Sequence, residues 1–384
     1  MKTIAIIADS HFTERSRWEE CLRLHDWIAD DMENRKVDLV LHAGDVYDAK
    51  STPKERLAVA SWLLNIARFA PVVVVRGNHD AVEDLPLMAD LRSQHPIIVE
   101  ERPAVHVVAG VAVACLPWPN KAELLARMGA SGHEQTEQTA SAGLKNILLG
   151  FSQEIEQHNG PAALLTHAMV RGSTTSTGQP LVSCDMEIGT DDLESCGADF
   201  VALGHIHKHQ EFESVSENPI VYPGSPRRTS FGEAEDKSYV LVYTQTFQDH
   251  VEATWEFIKA PATPMVDLTA AWDEDTRMLI GNHRSVDVSG AEVRFRYTVP
   301  SHCRESAARA AEEFKAEAMK RGAVYVKLEP ITEVTSRSRA PEIAEAKKVR
   351  DKLLAYWNAT GVLPLARMEI LLSKVDLLEA MEAA

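Results

Sequence analysis

Val201-Ala202-Leu203-Gly204-His205-Ile206-His207 joins an apolar run to a glycine and two histidines one residue apart. In an extended segment residues i and i+2 face the same side, so both imidazoles can reach one pocket. Gly204 lets the backbone turn sharply as it leaves the strand. A lone His-x-His pair at a strand end is usually just a hydrogen-bonded polar pair. This one gains weight because the same arrangement, a strand closed by ligand-type residues, recurs upstream.

Ile4 to Ala8 reads as a strand buried on both faces and ends in Asp9-Ser10-His11, again an i, i+2 pair. Val37 to Leu41 leads into His42-Ala43-Gly44-Asp45-Val46-Tyr47-Asp48, and Val72 to Val75 into Arg76-Gly77-Asn78-His79-Asp80. Ala162 to Leu165 runs into Thr166-His167. Helices fall between these strands. Trp18, Cys21, Leu22, His25, Ile28 and Met32 recur at helical spacing, and a second helix is expected over Pro53 to Phe69. Strand, polar loop and helix in repetition make an α/β pattern with chemistry at the carboxyl ends of strands.

Further along, Val105 to Cys115 reads as a hairpin about Gly110, followed by the rigid turn Leu116-Pro117-Trp118-Pro119. A helix is expected over Leu144 to Ile155, and the loop Arg171 to Pro180 is rich in Gly, Ser and Thr. Asp199 to Leu203, Pro219 to Tyr222, Tyr239 to Tyr243 and Val251 to Phe257 read as strands; the later ones predict a second sheet packed on the first. Composition shifts at Pro261 to Pro264. Beyond it Glu292 to Val299, Glu305 to Lys320 and Ala323 to Glu329 form a β-α-β unit. After Thr335-Ser336-Arg337-Ser338-Arg339, two helices are expected. Ile343, Ala346, Val349, Leu353 and Trp357 stripe the first, and Leu365, Met368, Leu372, Val375 and Leu378 the second, with Asn358-Ala359-Thr360-Gly361 between them. The expected domains are residues 1–260, a cap at 261–334 and a helical tail at 335–384.

The 384 residues are 45% hydrophobic and 25% charged, ordinary for a globular protein, and the formal net charge is −17. That balance argues against a broadly basic nucleic-acid surface, while leaving room for a polyanion met through bound cations and a local basic strip. Arg227-Arg228 and Arg337, Arg339, Lys347, Lys348 and Arg350 are the visible basic clusters; a solvated turn and helix face explains them at least as well as DNA contact. The five cysteines, Cys21, Cys115, Cys184, Cys196 and Cys303, form no Cys-x-x-Cys pair and read as reduced. The first apolar run is too short for a signal peptide, and no stretch suits a membrane span. A soluble, cytoplasmic protein is expected.

Collected, the strand-end residues Asp9, His11, Asp45, Asn78, His167, His205 and His207 offer oxygen and imidazole ligands without thiolate. Such a set suits manganese, iron or zinc in an open catalytic site. Two divalent ions roughly 3.5–4 Å apart need a bridging carboxylate, and Asp45 is the candidate. Asp48 is read as a loop-capping or supporting residue, and His42 as a supporting one.

Asp9-x-His11, Gly44-Asp45-x-x-Asp48, Gly77-Asn78-His79-Asp80, His167 after its strand and Gly204-His205-x-His207 resemble the five motifs of calcineurin-like metallophosphoesterases, in the family's order. Each is weak singly; together they are specific and cover roughly the first 210 residues. Tyr222-Pro223-Gly224-Ser225-Pro226-Arg227-Arg228-Thr229-Ser230-Phe231-Gly232-Glu233 is similar to the segment that follows the last motif in SbcD-type DNA nucleases, and the cap and tail are similar too.

The resemblance implies an α/β fold: a calcineurin-like metallophosphoesterase β-sandwich flanked by helices, with a small β-α-β cap domain and a C-terminal helical tail. It assigns Asp9, His11 and His207 to one ion and Asn78, His167 and His205 to the other, with Asp45 bridging. His79 would contact the scissile phosphate and protonate the leaving oxygen, with Asp80 orienting it. Two divalent metal ions, manganese first, are the implied cofactors. The implied partners are DNA, an SbcC-like SMC-type ATPase subunit and, as a further expectation, a second copy of the chain. Ala49-Lys50 stands where protein phosphatases continue their second motif with Arg-Gly, which lowers a phosphoprotein-phosphatase reading. The alternatives are a phosphoesterase acting on a small molecule such as a cyclic nucleotide, and a scaffold with a vestigial site, which an intact ligand set disfavours.

Overall fold

The computed structural model describes residues 1–128, 133–176, 186–248, 250–333, 343, 346, 348–360 and 365–382. Its first half alternates strand and helix: β1 (Lys2–Ile7), α1 (Trp18–Asn34), β2 (Leu39–His42), α2 (Pro53–Ile66), β3 (Val72–Val75), α3 (Pro86–Ala89) and β4 (Ile97–Glu100). Then come β5 (Ala104–Val108), β6 (Val111–Leu116), α4 (Lys121–Met128), α5 (His133–Ile155), β7 (Ala162–His167), β8 (Met169–Val170), β9 (Glu187–Ile188) and α6 (Thr190–Glu194). β10 (Phe200–Gly204), β11 (Gln210–Phe212), β12 (Ile220–Tyr222), β13 (Ser238–Thr246) and β14 (Val251–Lys259) follow.

These strands build two six-stranded sheets, β14-β13-β1-β2-β3-β4 and β11-β12-β10-β7-β6-β5. Each holds four parallel strands, β1 to β4 in one and β12-β10-β7-β6 in the other, flanked by antiparallel ones. A second sheet was expected from the late strands, but its membership differs. β13 and β14 extend the first sheet through β1, while the second draws on the β5–β6 hairpin, β7, β10 and β12.

The continuous apolar runs follow from burial on both faces. Ile4, Ile6 and Ala8 pack between the sheets with Val113, Leu165 and Ala202, while Ala5 and Ile7 face Ile28 of α1 and Leu63 of α2. β10 divides likewise: Phe200 and Ala202 lie between the sheets, and Val201 and Leu203 pack under Leu148 and Phe151 of α5. Local signals agree. Thr52 and Glu55 close a capping box at the start of α2, with Pro53 in its first turn. At the β5–β6 turn Ala109 and Gly110 both have positive φ, the geometry of a two-residue hairpin.

Residues 261–334 contain the expected strand, helix and strand as β17 (Glu292–Pro300), α7 (Arg304–Lys320) and β18 (Tyr325–Glu333). It adds an unforeseen pair, β15 (Met265–Asp273) and β16 (Met278–Gly281), and the sheet order is β16-β15-β17-β18. The tail helices are α8 (Val349–Thr360) and α9 (Leu365–Glu382), joined by an Arg350–Asp376 ion pair at 2.6 Å. In α9 Met368 is buried, but Ile370 and Leu377, outside the expected stripe, are exposed. The side chains of Leu365 and Leu378, and residues Arg337, Arg339, Lys347, Cys184 and Gly361, lie outside the described residues.

The chain forms two compact units. One comprises Met1–Thr269, Asn282–Arg296 and Glu313–Glu329; the other comprises Ala270–Gly281, Tyr297–Glu312 and Pro330–Ala384.

Candidate metal centre

The carboxyl ends of five parallel strands deliver the polar residues: Asp9 and His11 after β1, Asp45 after β2, Asn78 after β3, His167 at the end of β7, and His205 and His207 after β10. Their loops are tied by backbone hydrogen bonds, Asp9 N to Gly44 O at 3.0 Å, His11 N to Asp45 O at 3.1 Å and Ala168 N to Gly204 O at 3.2 Å. Two glycines permit this packing. A Cβ at Gly77 would lie 2.3 Å from Asp45 N, and one at Gly204 1.9 Å from Ala43 O. Asp9, His11, Asp45 and His205 all adopt positive φ (52°, 45°, 53° and 110°). Such conformations in non-glycine residues cost about 1–3 kcal/mol each and persist only where surrounding structure enforces them.

All seven expected ligand residues converge. His11 Nε2 lies 2.9 Å from His207 Nε2, and Asp45 Oδ2 is 3.4 Å from His167 Nε2 and 3.9 Å from His11 Nε2. Asn78 Oδ1 is 2.8 Å from His167 Nε2 and 3.1 Å from His205 Nδ1. Both Asp9 oxygens accept from His205 N–H at 3.1 Å. Asp9, His11 and His207 form one group able to hold an ion, and Asp9, Asp45 and His167 another. Asp9, His11, Asp45 and His167 are buried, whereas Asn78 is exposed, so the cluster opens on one side.

The donor set fits divalent cations. His167 Nδ1–H donates to Ala43 O at 2.7 Å, which turns the Nε2 lone pair toward Asp45 Oδ2 and Asn78 Oδ1. Three lone pairs aimed at one space repel unless a cation or a proton lies among them. Electrostatics say the same. Burial alone would lower the His167 pKa, but the Asp45 and Asp9 carboxylates raise it to about 9. Burial likewise works to raise Asp45, yet His167 and His11 hold it well below the usual carboxylate range. For Asp9 burial outweighs the neighbouring imidazoles and the pKa rises.

Supporting groups fix these side chains. His207 Nδ1 lies 3.4 Å from Glu233 Oε1 and 3.2 Å from Thr229 Oγ1. Glu233 is itself held at 2.5 Å by the buried Lys237 ammonium. Burial lowers the His207 pKa, but the Glu233 hydrogen bond and the Asp9 charge prevail and raise it. Asp48 Oδ1 sits 3.5 Å from His11 Nδ1, and its carbonyl accepts from His79 Nδ1–H at 2.8 Å, so it supports both rings. The His79 ring lies edge-on to His11 with centroids 5.1 Å apart. His42 receives Ser10 Oγ at 2.8 Å.

Two expectations need correction. Asp80 does not meet the His79 ring: its buried carboxylate accepts from the N–H groups of Tyr47 and Gly77 at 2.9 Å and Val46 at 3.3 Å, clamping the two loops. Burial and the nearby Asp45 charge push its pKa up to about 6. Arg227 and Arg228 are neither solvated nor surface contacts. Both are buried, Arg227 Nη2 donates to His11 O, and Arg228 donates to Glu233 O and Glu235 O. Sequence reasoning also passed over Glu233 and Trp118. Trp118 lies against His205 at 4.9 Å and His167 at 5.6 Å between ring centroids. The only signals were the Pro-Trp-Pro turn and the polar end of the Tyr222–Glu233 run.

Residues 1–246 match the calcineurin-like phosphoesterase superfamily domain. The chain belongs to that superfamily. Its members use divalent metals, and the cluster above supplies candidate residues for them. Among characterised proteins this phosphoesterase is similar to the SbcD chain of the SbcCD nuclease of Escherichia coli strain K12, 26% identical over 284 residues, 67% of each chain. The O157:H7 strain's protein matches to the same extent, 26% identical over 284 residues. Among solved structures, a dimetal phosphatase from Danio rerio is 11% identical with a TM-score of 0.39, covering 66% of this chain and 98% of that one.

Proposed function

We propose that this phosphoesterase is a metal-dependent DNA nuclease subunit of the SbcD kind, an exonuclease and endonuclease hydrolysing phosphodiester bonds in recombination, repair or replication. The convergence of seven oxygen and imidazole ligands on one open cluster carries the proposal; the 26% identity to a nuclease subunit supports the substrate class. Asp9, His11 and His207 would hold one ion and Asn78, His167 and His205 the other, with Asp45 shared, and manganese would suit such donors. Divalent ions held by these residues would supply Lewis acidity toward a phosphodiester and a lowered pKa for bound water.

The chain's own residues do the rest. With Nδ1–H committed to Asp48 O, His79 has Nε2 left for the leaving oxygen, and in its protonated form it delivers the proton there. Asp80 acts on His79 indirectly, by fixing the backbone on either side of the cleft. Residues 1–260 are the nuclease domain, 261–334 a cap and 335–384 a docking tail for an SbcC-like SMC-type ATPase. DNA, that ATPase and a second copy of the chain are the proposed partners, in the cytoplasm. Among the described residues no helix is long and apolar enough to cross a membrane.

Two observations favour a second reading, a phosphodiesterase acting on a small molecule such as a cyclic nucleotide. The basic pair next to the cluster is buried, and the chain carries a net charge of −17. Purified protein incubated with labelled single- and double-stranded DNA and with cyclic nucleotides, under manganese or magnesium, separates the two. Manganese-dependent DNA cleavage is expected; turnover of the cyclic nucleotide alone would transfer the site to the second reading.

A further inference from the structure

Beside the cluster lies a recess lined by Arg76, Glu101, Arg102, Leu116, Pro117 and Trp118 among others. It is open to solvent on one side and has a cavity volume of about 50 Å³, which admits the edge of one ring and no duplex. Three features set it apart. Trp118 is shared: its indole lines the recess and also lies 4.9 Å from the His205 ring. The wall is stiff, since prolines flank the indole and Trp118 N–H donates to Arg76 O at 2.9 Å. Arg76 has a buried Nε with no hydrogen-bond partner, and it makes no ion pair among the described residues. An unsatisfied buried guanidinium nitrogen costs free energy unless a ligand completes it.

We propose that this recess is a base-binding subsite: it takes the nucleobase next to the scissile phosphate, stacked on Trp118, with the Arg76 guanidinium on the base's acceptor edge. This rests on the nuclease reading and deepens it. Every base has a π-face, so stacking on an indole tolerates any sequence, while a guanidinium favours a base with adjacent acceptors such as guanine O6 and N7. The recess therefore separates nucleotides from abasic sugar phosphates. It supplies affinity beside the cluster where Arg227 and Arg228, both buried, do not. The recess admits the edge of one splayed-out base lying on the exposed side of the indole, so single strands and frayed ends are the substrates it selects.

The test compares oligonucleotides that carry either a base or an abasic site at the scissile nucleotide. Base–aromatic stacking predicts a KM roughly 5- to 100-fold higher for the abasic strand. In Trp118→Ala and Arg76→Gln that ratio falls toward one, and Trp118→Phe restores most of it, which general damage to the cluster would not do. Photo-crosslinking of a halogenated uracil at the same position, in protein without added metal, should place the adduct on Trp118. An unchanged ratio in both variants, or a crosslink mapped elsewhere, overturns the subsite. Calorimetry of dGMP against deoxyribose 5-phosphate measures the same base preference without catalysis, and equal binding of the two would also overturn it. Failure of the nuclease reading shows instead as absent DNA cleavage with the dGMP preference intact.

Discussion

Asp45 and His79 lie in the same pocket but are committed differently. Asp45 Oδ2 faces both His11 and His167, while Oδ1 accepts from His79 N–H at 2.8 Å. Asp45→Asn keeps the shape and removes the charge that the two imidazoles share. It should abolish hydrolysis and weaken binding of both ions, measured by metal analysis and calorimetry; near-normal turnover with two ions bound would refute the shared role. His79→Gln is expected to retain both ions and lose roughly 10²–10⁴-fold in rate, the range for a missing general acid. Loss of one ion in that variant would make His79 a ligand. Six of the seven cluster residues were legible because they stand at strand ends with i, i+2 spacing or beside a glycine; His167 is a lone histidine closing its strand and gained its weight from the other motifs. Glu233 and Lys237 were not. Their role depends on a loop returning 26 residues after His207, and no local pattern encodes that.

At the scale of elements, α1 shows what a buried histidine does to stability. His25 donates from Nδ1 to Cys21 O at 2.8 Å, packs against Phe12 and Trp62, and leaves Nε2 without a partner. Burial pushes its pKa down to about 3, from 6.5 in the unfolded chain. Between those values the unfolded state binds the extra proton, so the contribution is complete above pH 6.5 and is lost as pH falls toward 3. The loss approaches about 1.4 kcal/mol per pH unit. Urea unfolding at pH 6.5, 5.5 and 4.5 should give His25→Phe a pH slope shallower by about one proton than the parent; equal slopes would mean that His25 is not buried neutral. The spacing of Cys21, His25, Ile28 and Met32 made this helix legible. Sheet membership was harder: β13 reads as a strand locally, but only its pairing with β1, Ala5 opposite Leu241, places it in the first sheet. β4 and the β15–β16 pair escaped because the apolar runs of β4 and β16, Ile97-Ile98-Val99 and Met278-Leu279-Ile280, are too short to mark a strand, and β15 is only partly buried and mixes polar with apolar residues.

For the whole molecule, the question is where affinity for a long polyanion comes from. A net charge of −17 and two buried arginines leave little on the phosphoesterase domain to hold a duplex, and a stacking recess engages one base at a time. The tail offers a route through a partner. Helical spacing predicted both of its helices, although α8 starts at Val349 and leaves out Ala346 of the expected stripe; Ile370 and Leu377, seven residues apart and so on one face of α9, are exposed, as are Val349 and Tyr356 of α8. Apolar side chains on one helix face suit docking into a groove. In the proposed assembly they dock on an SbcC-like ATPase, which brings the duplex to the cluster. Deleting residues 335–384 should then leave manganese-dependent cleavage of short single strands largely intact. Co-purification with the ATPase should be lost, and with it ATP-stimulated cleavage of long duplexes. If the shortened protein unfolds on circular dichroism or loses its basal cleavage, the tail belongs to the core and the docking role falls; if it still co-purifies with the ATPase, the contact lies elsewhere on the chain.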